Sequence, residues 1–172
     1  VAHVSNVLGT IVPVADIVAR ARRVGALTLI DGAQAVPHMP VDMSSIASDF
    51  YVFSGHKMLG PTGIGVLYGR RAVLDALEPA RGGSEMIKEV WVDRATWNDL
   101  PWRFEPGTPP IAEAVGLQAA IEYLEKLGMD RVRDHTQGLA AQAVEQLSAI
   151  PGVRVFGPRG ERGAVTAFSV AG

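Results

Sequence analysis

The sequence predicts an α/β protein, and three observations predict it. Short apolar runs that fit buried strands (Leu27 to Ile30, Asp49 to Phe53, Ile64 to Tyr68) are interleaved with segments of helical spacing. Polar clusters follow at strand ends: Ser5-Asn6, then Asp31-Gly32-Ala33-Gln34, then Ser54-Gly55-His56-Lys57. The alternation gives way after residue 110 to two long helices and a strand pair. Open α/β sheets bind ligands at the carboxyl ends of their strands, so these clusters are the candidate site.

The elements follow in order. Val1 to Val4 reads as the last part of a strand. Pro13 suits the first turn of a helix, and Ile17, Val18, Ala21 and Val24 recur at helical spacing until Gly25 stops it. Leu27 to Ile30 forms a strand that delivers Asp31 at its end; Asp49 to Phe53 and Ile64 to Tyr68 form two more. Arg71 to Leu77 is a short helix. Residues 79–110 are rich in proline and poor in periodicity, which predicts a long irregular segment with a functional or partner-facing role. Ile111 to Leu127 and Asp130 to Ala149 are helices, and Val153 to Phe156 pairs with Val165 to Val170. A domain boundary is expected near residues 110–128, with 1–110 in a larger unit and 111–172 opening a smaller one. Strand-like sequence at both ends reads as an internal piece of a longer polypeptide.

Composition narrows the function classes. The 172 residues are 48% hydrophobic and 20% charged, as expected of a chain with a proper core. A net charge of -2 gives no electrostatic case for nucleic acid or an acidic membrane face. No apolar run reaches membrane-spanning length, and a cytoplasmic location is the default. With no cysteine, these residues hold no disulfide, thiolate metal site or cysteine nucleophile.

Lys57 is the most informative residue. A hydroxyl, an imidazole and an amine together at the end of a buried strand can gather on one anionic, electrophilic ligand. A lysine partly shielded from water there could attack a carbonyl as the free amine. Taken singly, Lys57 reads as a solvated turn lysine, Asn6 as a turn or cap residue and His56 as a structural histidine, while Asp31 reads equally as an ordinary turn former. Gln34 alone says almost nothing. Three polar clusters at consecutive strand ends are harder to attribute to accident.

These residues carry a resemblance. HVSNVLGT at 3–10, DGAQAVPHMPVD at 31–42, DFYVFSGHKMLGPTGIGVLYG at 49–69, GG at 82–83 and WRFEPGTP at 102–109 resemble the class V aminotransferase family of pyridoxal-phosphate (PLP) enzymes. Within it, SNVLGT, GHKMLGPTGIG and RFEPGTP look like the SufS-type (group II) cysteine desulfurases. The resemblance runs over essentially the whole chain and implies the aspartate aminotransferase-like fold type I, a mixed sheet flanked by helices, plus the start of a smaller α+β domain.

The resemblance also implies roles. Lys57 matches the family's Schiff-base lysine, and its free amine is a natural base for a Cα proton. Asp31 matches the aspartate that keeps the pyridine nitrogen protonated. Gln34 matches the hydrogen-bond partner of the phenolic oxygen, and Ala33 packs on a ring face. Ser54 and His56 match phosphate donors, Thr108 one that reaches the neighbouring subunit's phosphate, and Asn6 an asparagine near the phenolic oxygen and the substrate carboxylate. The expected activity is conversion of L-cysteine to L-alanine and enzyme-bound persulfide sulfur for iron–sulfur cluster assembly. A homodimer is implied, with a sulfur acceptor of the SufE/SufU type as partner.

Departures bound this reading. Pro110 stands where the family pattern has asparagine. The phosphate-holding N-terminal loop, the ring-stacking histidine, the persulfide-forming cysteine and the substrate-carboxylate arginine have no counterpart in these residues. The stretch alone is therefore not expected to desulfurate cysteine; activity from the isolated 172 residues would overturn that. Competing readings are another class V enzyme (an aminotransferase, selenocysteine lyase or kynureninase-like hydrolase), a non-catalytic protein keeping the fold, and a nucleotide-binding domain. The last fits poorly, because GPTGIG at 60–65 precedes a strand rather than a helix and Lys57 lies before the glycines.

Overall fold

A computed structural model describes all 172 residues. The chain runs α1 (Val14–Arg23), β1 (Leu29–Asp31), α2 (Met43–Ile46), β2 (Phe50–Ser54), a 3₁₀ turn (Gly55–Met58), β3 (Gly65–Gly69) and α3 (Arg71–Ala76). It continues with β4 (Ile87–Val90), β5 (Ala95–Trp97), a second 3₁₀ turn (Trp102–Phe104), α4 (Ile111–Leu127), α5 (Met129–Ser148), β6 (Val153–Phe156) and β7 (Ala167–Val170).

The central sheet has the order β1-β2-β3. β1 and β2 are parallel, with Ile30 opposite Tyr51 and Asp31 opposite Val52, while β3 returns antiparallel and sets Gly65 opposite Ser54. Residues 1–4, expected to end a strand, make only isolated bridges: Ala2 with Asp31 in parallel and Val4 with Ile11. The parallel bridge is enough to bring the Asn6 loop to the same edge as the ends of β1 and β2.

Alternation along the strands sends Ile30 and Tyr51 to one face. There they join Val14, Val18 and Ile46 in a buried core beneath α1 and α2. A second core joins Met58 of the 3₁₀ turn to Leu117 and Leu124 of α4, with Phe53, Ile64 and Val66 packed against it. Lys57 thus sits one residue before a side chain anchored in the interior. Asp31, Val52 and Ser54 share the opposite face, where Leu29 and Leu67 stand exposed.

The sheet is clasped at the end away from the site. The carboxylate of Asp49, itself buried, accepts the backbone N–H of Thr28 at 2.8 Å and its hydroxyl at 3.0 Å, and Arg70 binds the other oxygen at 2.7 Å. One side chain therefore joins the starts of β1 and β2 to the end of β3. Burial pushes its pKa up, but the hydrogen bonds from Arg70 and Thr28 and the guanidinium charge outweigh burial and hold it below the ordinary aspartate value. A group lowered on folding contributes stability that is present above the unfolded pKa and lost as pH falls through the folded one. Asp49→Ala in the full-length protein is expected to cost about 2–3 kcal/mol at neutral pH, with the deficit shrinking below about pH 4. Denaturant midpoints at the two pH values check both statements.

Residues 79–110 depart from expectation. Ile87 to Val90 and Ala95 to Trp97 form an antiparallel ribbon, with a register shift between Ile87 and Glu89. The Arg94 guanidinium lies 4.5 Å from the Trp91 ring centroid, beside the turn that joins the strands. Lys88, Glu89 and Val90 are all exposed, so this strand shows no apolar alternation. α2 was likewise not signalled. It is a four-residue helix capped by Asp42, whose carboxylate accepts the Ser44 N–H at 2.9 Å.

Candidate active site

Three loops meet the carboxyl edge of the sheet. In the first, Ser5 closes a tight turn: its N–H donates to the Thr10 carbonyl at 2.9 Å, and its hydroxyl accepts the Leu8 N–H at 3.1 Å. Asn6 stands exposed on that turn. The second loop begins at Asp31, whose Oδ1 accepts the Ala33 N–H at 2.9 Å. Gly32 then donates its N–H to the Val52 carbonyl and accepts the N–H groups of Ala35 and Val36, winding residues 32–36 into a helical turn. Ala33 is buried in this turn and Gln34 half-buried.

Only glycine fits at position 32. A Cβ there would fall 2.0 Å from Cε1 and 2.3 Å from the hydroxyl of Tyr51. Tyr51 is 2% exposed and cannot move aside without opening the core, so the Asp31 turn rests directly on the phenol. The His3 Nδ1 lies 2.8 Å from that hydroxyl.

The third loop is the 3₁₀ turn after β2. Gly55 is buried beneath Ile64, whose Cγ2 would lie 2.9 Å from a Cβ at that position, and Leu59 closes the turn in the left-handed conformation at φ 68°. Between them His56 and Lys57 point outward, both exposed, and neither enters an ion pair. Ser54, half-buried, makes no capping bond with its side chain. Met58 takes the inward position of the turn, which leaves its neighbour facing outward.

The structure therefore brings Asn6, Asp31, Gln34, Ser54, His56 and Lys57 to one edge. Thr108 is exposed on a separate segment, held by the Gly107 N–H to the Ser84 carbonyl at 2.9 Å. Pro110, the departure from the family pattern, precedes α4 and accepts the Ala114 N–H at 2.9 Å. Lys57 also borders a cleft of about 620 Å³ with His38, Tyr123, Leu127, Arg131 and His135. That cleft contains no carboxylate, and Asp31 is not among its walls, so the sheet edge rather than the cleft carries the full donor set.

The residues fit pyridoxal phosphate on their own chemistry. Lys57 offers an unpaired amine to an aldehyde, and Asp31 keeps one carboxylate oxygen free after satisfying Ala33, suited to a pyridinium N–H. Ser54 and His56 offer donors to an anion from the adjoining strand end.

The comparisons agree with this fold. The chain belongs to the aminotransferase class-V family, whose model matches residues 1–172. Two similar relatives are cysteine desulfurases by name. It is 53% identical over 164 residues to a probable cysteine desulfurase of Halalkalibacterium halodurans, covering 95% of this chain and 40% of that protein. It is 48% identical over 171 residues to a cysteine desulfurase of Haloferax volcanii, covering 99% of this chain and 40% of that one. The chain thus spans about two fifths of the length of these relatives. Among solved structures, the cysteine desulfurase CsdA from Escherichia coli superposes with a TM-score of 0.94 at 39% identity, over 99% of this chain and 42% of its own. The cystine C–S lyase C-DES, solved with its product cysteine persulfide, gives 0.85 at 27% identity, over 98% and 46%. The fold is accordingly the aspartate aminotransferase-like fold type I, and the family's cofactor is pyridoxal phosphate.

His3 and Tyr51 were not singled out from the sequence. Their partnership spans 48 residues, and neither residue type signals such a pairing.

Proposed function

We propose that this chain is the central part of a PLP-dependent cysteine desulfurase of the SufS type, which converts L-cysteine to L-alanine and an enzyme-bound persulfide for iron–sulfur cluster assembly. The observation that carries the reading is the placement of the Lys57 amine and the Asp31 carboxylate at the ends of two adjacent parallel strands. The cofactor supplies an electron sink when bound. Lys57 would anchor its aldehyde and, as the amine freed when the substrate's amino group takes its place, would accept the substrate Cα proton. Asp31 holds the proton on the pyridine nitrogen, with Gln34 and Asn6 toward the phenolic oxygen and Ser54 and His56 toward the phosphate. Thr108, on its exposed segment, reaches the phosphate site of a second subunit in a homodimer.

The persulfide-forming cysteine belongs to residues beyond these, since the 172 contain none. In this reading residues 1–110 are part of the PLP-binding domain, and 111–172 link it to the small domain. The sulfur passes to an acceptor of the SufE/SufU type, and the location is cytoplasmic. No helix is long and apolar enough to cross a membrane.

The test uses the full-length protein with PLP and L-cysteine. Visible absorbance of the bound cofactor, with sulfide and alanine released in the presence of a thiol reductant, is the expected result. Absence of a visible band would sink the cofactor assignment. A band with amino-group transfer and no sulfide would move the protein to another class V activity.

A further inference from the structure

One buried pair of titratable side chains has no part in the chemistry above. His3 and Tyr51 are 6% and 2% exposed, meet at 2.8 Å between Nδ1 and the hydroxyl, and cross edge to face at 89° with ring centroids 6.0 Å apart. Both are fastened to the Asp31 turn. The His3 N–H donates to the Asp31 carbonyl at 2.8 Å, and the Tyr51 ring lies against Gly32 so closely that no Cβ fits between them. Burial lowers the pKa of His3, and burial together with the negative charge of Asp31 raises that of Tyr51. Both groups are therefore uncharged at neutral pH, and Asp31 is the charge that Tyr51 senses across the turn.

An apolar contact would suffice to fill the core under Gly32. A phenol locked by an imidazole does more, because one hydrogen bond fixes the ring's position along its own axis. The ring edge then sets the height of the Gly32 backbone, and the Ala33 N–H of the same turn holds the Asp31 carboxylate at 2.9 Å. We propose that His3 and Tyr51 are a positioning pair that holds the Asp31–Gly32–Ala33 turn, and through it the Asp31 carboxylate, in the orientation its pyridinium partner requires. The proposal rests on the reading of Asp31 given above.

Tyr51→Phe removes the hydroxyl and keeps the ring, and His3→Gln removes the imidazole and keeps Tyr51. In the full-length protein each is expected to weaken PLP affinity about fivefold, the scale of one lost hydrogen bond. Each is also expected to move the visible absorbance maximum of the bound cofactor or its pH midpoint, and to lower kcat with KM for L-cysteine little changed. Purely structural residues would change the melting temperature and leave the spectrum of the folded, loaded protein alone. Should one variant fail to fold, the other carries the test. Wild-type affinity within twofold together with an unshifted spectrum would overturn the proposal. An unsubstituted protein with no visible band would instead overturn the cofactor reading itself, and the positioning role with it.

Discussion

Lys57→Ala in the full-length protein is expected to abolish the proposed desulfurase activity, with a loss on the order of 10⁴-fold or more. Removal of a positioned general base alone is worth about 10²–10⁴-fold, and the same substitution removes the covalent anchor. No other lysine of these 172 residues stands at that edge: the remaining two are Lys88 on β4 and Lys126 near the end of α4. Stability should change little, because Lys57 is exposed, enters no ion pair, and follows the buried Gly55 on a turn anchored by Met58. Lys57→Arg sharpens the test. It keeps the charge, but guanidinium stays protonated and does not condense with the aldehyde, so it should be as inactive as alanine. The visible band should be lost or displaced to that of free cofactor in both variants, with melting temperatures near wild type. Activity within tenfold of wild type in either variant would remove Lys57 from its role.

The central α/β unit was legible because its signals are local. Leu29-Ile30 and the run from Phe50 to Phe53 are short apolar segments with a polar residue at the end of each, and the structure places Asp31 and Ser54 where those runs stop. The helix over Ile111 to Leu127 was visible to the residue for the same reason. The ribbon of β4 and β5 was not, because its first strand carries Lys88 and Glu89 and depends on pairing Glu89 with Thr96 rather than on any buried face. Pairing energy of that kind belongs to two segments at once, and neither announces it. The His3–Tyr51 contact was hidden in the same way, across the sheet. The outward position of Lys57 was not legible, because the sequence shows that a turn follows β2 but not which turn residue points inward. Met58 does, so Lys57 does not.

Asp31→Asn and Asp31→Ala separate the two jobs of that carboxylate. One oxygen accepts the Ala33 N–H at 2.9 Å and shapes the turn, while the other is left for a ligand. Asparagine keeps a carbonyl oxygen for Ala33 and loses only the charge. It should therefore fold as stably as wild type, yet lose activity on the order of 10³-fold, the upper scale for removing one preorganised electrostatic partner. Without a negative charge beside it, the ring nitrogen has nothing to hold its proton and the electron sink weakens. Alanine loses the turn bond as well and should add a stability cost of about 1 kcal/mol from the unpaired Ala33 N–H. Asp31→Glu keeps the charge but advances it by a methylene from a turn that Tyr51 and Gly32 hold in place, so activity should fall between wild type and Asn. Steady-state kinetics on the loaded protein and denaturant midpoints on the same preparations give the two readings. Asp31→Asn at wild-type turnover would show that the ring nitrogen is served by another group, and the edge would have to be reassigned around Lys57 alone.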